Sequence, residues 1–153
     1  MTNDYLLDVK STIDKIMNDL VDSLVGQFPD LKGIDVDDLV ETDGIMKSED
    51  PVLLWQFLTM TPVPRDPLFR VEFLVGAKTV GDHGNYTLTH INNELRKSFE
   101  IGTRIAVGDY SGASPVLGKG YFVVSDNSMA PQQYDHMSGI RFLSIRAMGA
   151  RTV

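Results

Sequence analysis

Leu68 to Val75 reads LFRVEFLV. Phe69, Val71, Phe73 and Val75 fall on one side of an extended chain, and Arg70 and Glu72 fall on the other. This period-two alternation predicts a half-buried strand, in a sheet that packs one face and leaves the other wet. Upstream, Val52 to Met60 reads VLLWQFLTM, β-branched and aromatic, and bounded by Pro51 and Pro62. It predicts a second strand. Pro62, Pro64 and Pro67 cannot lie in a central strand, so they mark a turn or an edge, and if they form a hairpin loop the two strands are antiparallel.

Working outward from the hairpin, Gly76 to Asn85 has a loop composition, with Gly76, Gly81, Gly84 and Asn85. A helix is expected over about Thr87 to Phe99, with Leu88, Ile91, Leu95 and Phe99 as its apolar stripe. Arg96 and Lys97 suit its negative end, and Gly102 closes it. Arg104 to Val107, Tyr121 to Val124 and Ile140 to Met148 are expected strands. Asp109 to Gly120 and Ser125 to Gly139 are expected loops, and the second is long enough to suggest a function.

At the other end, Leu6, Val9, Ile13, Ile16, Leu20 and Leu24 recur at helical spacing. They predict a helix near residues 4–25, capped by Asn3 or Asp4 and stopped by Gly26 in a left-handed conformation before Pro29. Lys10 with Asp14 and Lys15 with Asp19 stand four apart, as helical ion pairs require. Residues 28–51 form an acidic connector. The expected fold class is therefore α+β: one domain spanning 1–153. It holds a mixed, mainly antiparallel sheet of four to five strands, a long N-terminal helix, and a second helix packed on one face. Mobile loops are expected over 76–86 and 125–139.

Charge is unevenly placed. The net charge is −7 over 153 residues. Residues 1–50 carry 13 acids and 4 lysines, whereas all 7 arginines lie beyond Pro64. An acidic half cannot grip nucleic acid, because phosphate affinity needs cations. The chain has no cysteine, which excludes disulfides, thiolate metal sites and cysteine nucleophiles. No apolar run is long enough to span a membrane. The polar, acidic start gives no signal peptide, so synthesis inside the cell is the expectation.

Motifs for catalysis fail on spacing. GASPVLGKG at 112–120 puts five residues between its first two glycines, and Gly120 stands where a phosphate loop needs a hydroxyl. Ser125-Asp126-Asn127 copies a β-lactamase triplet, but the chain has no SxxK to supply the nucleophile. His83, His90 and His136 lack zinc-site spacing. Asp35 and Asp37 do not start a calcium-loop register. Asn85-Tyr86-Thr87 is a glycosylation triplet without a secretory context. The expectation is a non-enzyme with no cofactor and no metal.

The element order, the strand-to-loop run PLFRVEFLVGAKT and the closing strand GIRFLSIRAM resemble the tail terminator family of long-tailed bacteriophages. The resemblance covers about residues 4–148. It implies a homo-oligomeric, commonly hexameric ring in the virion that caps the tail tube and joins it to a neck or head-completion protein. DNA would pass through the ring without sequence-specific binding, and no membrane would be involved. The neck, tail-completion and head-closure ring proteins of the same virion region are the alternative. A soluble ligand-binding or regulatory α+β domain, with its pocket between the two expected loops, is the alternative from another class.

A ring buries each copy's face against a different face of its neighbour. Asp14, Asp19 and Asp22 on the acidic helix are candidates to meet Arg70, Arg141 and Arg146 on the sheet. Phe142, opposite in pleat to Leu143 and Ile145, makes the last strand apolar on both sides and is a further interface candidate. Asp35, Asp37, Asp38 and Glu41 are candidates to face a channel, where they would repel DNA phosphate.

Overall fold

The computed structural model describes residues 3–36, 51–62, 67–80, 84–129, 133–135 and 138–152. The chain begins with helix α1 (Asn3–Leu24), then strand β1 (Lys32–Asp35), β2 (Val52–Pro62) and β3 (Leu68–Val80). Helix α2 (Gly84–Ser98) follows. The rest is β4 (Arg104–Asp109), β5 (Val116–Met129), β6 (Gln133–Asp135) and β7 (Ser138–Arg151).

The hairpin predicted from the prolines is present: β2 and β3 pair antiparallel, from Val52 opposite Lys78 to Pro62 opposite Phe69. The strand order is β1-β2-β3-β7-β5-β4, with β6 paired beside β7. β1 runs parallel to β2, and the other pairings are antiparallel. The sheet is thus mixed and mainly antiparallel, but larger than the four to five strands expected.

The difference lies in polar and glycine-rich stretches that the ladder holds extended. β3 continues through Gly76 to Val80, because Ser138 to Phe142 of β7 lies opposite and pairs with it. β5 runs on through Asp126 to Met129 against Arg146 to Leu143. Lys32–Asp35, inside the acidic connector, adds a parallel edge strand to β2. A backbone group gains as much from a ladder beside a polar side chain as beside an apolar one, so composition alone underestimates strand length. Residues 81–83, 130–132 and 136–137 lie outside the described set.

Ladder shifts at Phe57/Thr59, Val107/Asp109 and Val124/Asp126 add local twist. The sheet curls. α1 consequently touches β4 at one end of the strand order and β2 and β1 at the other, while α2 sits on the central β3 and β7. Both helices occupy the concave face. One apolar core joins Val9, Ile13 and Met17 of α1 to Leu88, Ile91 and Leu95 of α2 and to Phe69, Phe73, Phe122, Leu143 and Ile145 of the sheet. Phe73 meets Phe99 and Phe122 edge-on, at 5.4 and 6.4 Å.

α1 is rotated from the expected stripe. Its buried line is Tyr5, Val9, Ile13, Met17 and Leu24, with Asp8 and Thr12 also buried, whereas Leu6, Ile16 and Leu20 are half-buried. Thr12 turns inward because it faces the edge strand β4, whose Gly108 backbone it satisfies. Gly26 is not left-handed; the helix ends with Gln27 and Phe28 donating to the Leu24 carbonyl at 3.0 and 2.9 Å. After α2 the expected left-handed glycine is there, Gly102 with φ of 91°.

Candidate functional site

The convex face of the sheet reads in rows across the strands. Leu68, Ala150 and Tyr121 stand opposite one another on β3, β7 and β5, with Ala106 of β4 beyond. The next row is Arg70, Met148, Val123 and Arg104. The third is Glu72, Arg146 and Asp126. Alternation forces this grouping, since the intervening Phe69, Val71, Phe73, Phe122, Ile145 and Ala147 point into the helix-side core.

Among the described residues no helix covers these rows. Leu68 is 39 % exposed and Met148 46 %, and Arg70, Arg104 and Arg146 are exposed. The Arg104 guanidinium lies 3.9 Å over the Tyr121 ring centroid, which presents that arginine at the margin of the apolar rows. Arg146 pairs with Glu72 at 3.5 Å, both side chains largely in solvent. The result is an apolar strip with arginines on its flanks, on a surface that α1 and α2 leave open.

The expected interface residues divide. Arg70 and Arg146 are on this face. Arg141 stands opposite Ala77 in the ladder, at the alternate register position to Arg146, and its side chain lies outside the described set. Phe142 is half-buried against a second cluster of Ile34, Val52 and Leu54, so the chain itself covers much of it. Asp19 and Asp22 are exposed on α1, Asp19 bonded to Lys15 at 2.6 Å.

Asp14 and Asp35 are engaged inside the chain. Lys10 donates to Asp14 at 2.9 Å and also to Asp35, and Trp55 Nε1 donates to Asp14 at 2.8 Å. Burial alone would lower the Lys10 ammonium pKa, but its bonds to the Asp35 and Asp14 carboxylates outweigh that and hold it above the ordinary value. These contacts fasten α1 to β1 and β2, so Asp14 and Asp35 are structural ties where an intersubunit or channel role was expected. Asp37, Asp38 and Glu41 lie outside the described residues.

On its other flank α1 caps the edge strand β4. Thr12 Oγ1 accepts from the Gly108 amide at 3.0 Å, and its one proton has the Asp8 carbonyl at 2.8 Å and the Gly108 carbonyl at 3.0 Å within reach. Ser11 Oγ accepts from the Tyr110 amide at 3.1 Å and donates to Gly108 at 3.2 Å. The only sequence signal for this cap is a Ser-Thr pair set between Val9 and Ile13. The arginine–tyrosine stack left no signal at all, because Arg104 and Tyr121 are brought together only by β4–β5 register.

Two open grooves of about 470 and 500 Å³ flank the N-terminal half of α1 and share Asp8 and Lys119. The described residues contain no group of three or more side chains placed to hold a metal. His90 packs edge-on against Phe28 at 5.4 Å, and His83 and His136 lie outside the described set. No helix among the described residues is long and apolar enough to cross a membrane.

No family model matches the chain, and no curated relative does. Among the solved structures that match, one of unstated function aligns over 100 % of this chain and 97 % of its own, with a TM-score of 0.57 at 11 % identity. The likeness is one of fold.

Proposed function

We propose that this chain is a structural assembly protein of a phage virion, of the tail terminator kind. It forms a ring that caps the tail tube and joins it to the head–neck complex, in a virion assembled in the host cytoplasm. The observation that carries the reading is the convex sheet face: apolar rows flanked by arginines, which among the described residues neither α1 nor α2 covers. Small domains seldom leave such a strip uncovered unless another surface meets it. Tube protein, neck protein and further copies of the chain are the partners, and DNA crosses the ring without sequence readout.

Residues 76–80 and 125–129, expected within the two loops that would frame a pocket in the alternative reading, are strand. Light scattering of the purified chain, alone and with tail tubes, tests the proposal. The expected result is a ring, seen by electron microscopy at one end of each tube, with tube growth arrested. Arrested growth distinguishes a terminator from a neighbouring neck or head-closure ring. A chain that stays monomeric and ignores tubes overturns the reading.

A further inference from the structure

We infer that the convex sheet face and the C-terminal end of α1 are the two halves of one head-to-tail contact between identical copies. This rests on the ring reading and names the partner of the open face. The sheet half presents Met148 and Val123 between Arg70 and Arg104, with Leu68 in the adjoining row. The helix half presents Asp19 and Asp22, with Val25 38 % exposed just beyond. Its last turn holds no basic residue, and the exposed Asp30 follows. Acid on one half meets arginine on the other, and a small apolar contact lies between.

Placement makes the pairing repeatable. α1 bridges the two edges of the curled sheet on its concave side, while the rows lie on the convex back. One copy therefore offers both halves at once, on opposite sides, as a heterologous closed ring requires. Pairing two convex faces through the Arg70–Arg104 row of each would set arginine against arginine, a like-charge contact that costs association.

Charge reversal tests this. Arg70→Glu/Arg104→Glu makes both halves acidic, and Asp19→Lys/Asp22→Lys makes both basic. Each variant alone, checked for an unchanged circular-dichroism spectrum, is expected to self-associate at least about tenfold more weakly than wild type. Mixed one to one, the two variants are expected to recover rings of alternating copies, and a single chain carrying all four changes to recover rings by itself. Recovery of heterodimers alone points to face-to-face pairing and overturns the proposal. A wild-type ring that both variants retain overturns this contact and leaves the ring reading standing. If those retained rings no longer cap tubes when Arg70 and Arg104 are reversed, the face belongs to the tube protein. A wild-type chain that stays monomeric up to millimolar concentration, both alone and with tail tubes, overturns both readings.

Discussion

Tyr5 is 5 % exposed, and its hydroxyl meets no hydrogen-bond partner among the described residues. Burial, with the Asp8 carboxylate adding to it, pushes its pKa up to about 12. The native state therefore keeps a proton that the unfolded state releases near pH 10, so stability is unaffected below pH 10. Above it, stability falls by roughly 1.4 kcal/mol per pH unit until the folded pKa is reached, because the unfolded chain ionises first. Tyr5→Phe removes both costs. The unfolding free energy from urea titration is expected to rise by about 1 kcal/mol at pH 7, and the gap to wild type is expected to widen between pH 10 and 12; a constant gap contradicts the assignment. Gly149 shows the opposite constraint. A Cβ there would overlap the Tyr121 carbonyl oxygen and stand 2.7 Å from the Phe69 ring. Backbone on the neighbouring strand cannot yield as a side chain can, so Gly149→Ala is expected to cost about 3 kcal/mol in thermal unfolding. Neither feature shows in the sequence: each depends on an atom from another strand or helix.

Among the elements, α1, β2, β3 and α2 were legible because each carries its own period, and period follows from backbone geometry alone. The rotation of α1 was not. Thr12 and Asp8 count as polar in any sequence pattern, yet they are buried, because Thr12 replaces the partner strand that β4 lacks. Ser11→Ala/Thr12→Val keeps the helix and its volume but leaves the Gly108 and Tyr110 backbone groups without their hydroxyls. The expected cost is about 2–3 kcal/mol, with amide exchange accelerating at Gly108 and Tyr110 ahead of the core. Exchange that stays uniform across β4 would mean that α1 does not protect this edge. The polar ends of β3 and β5 have the composition of loops for a related reason: pairing along β7 makes them strands, and β7 is remote in sequence.

For the whole molecule, charge segregation was visible at once, but its geometry was not. The fold consumes Asp14 and Asp35 in ties to Lys10 and Trp55 and leaves Asp19 and Asp22 in solvent. Contacts among exposed charges weaken as the screening length shrinks from about 10 Å at 0.1 M salt to 3 Å at 1 M. The proposed ring is expected to dissociate progressively over that range in sedimentation velocity. Association that strengthens with salt would show that the apolar rows supply most of the affinity and that the arginines are incidental.

Hydrophobic period, proline placement and the absence of cysteine were enough to determine an α+β chain with a proline-bounded hairpin and two amphipathic helices. Those are local properties, set by which side chains can share a face within one helix turn or one pleat. The tertiary structure alone decided how far the strands run, which helical flank turns inward, which carboxylates are used up, and which face stays open. Each of those depends on the curl of the sheet, which brings β1, β2 and β4 to the same helix across most of the chain's length.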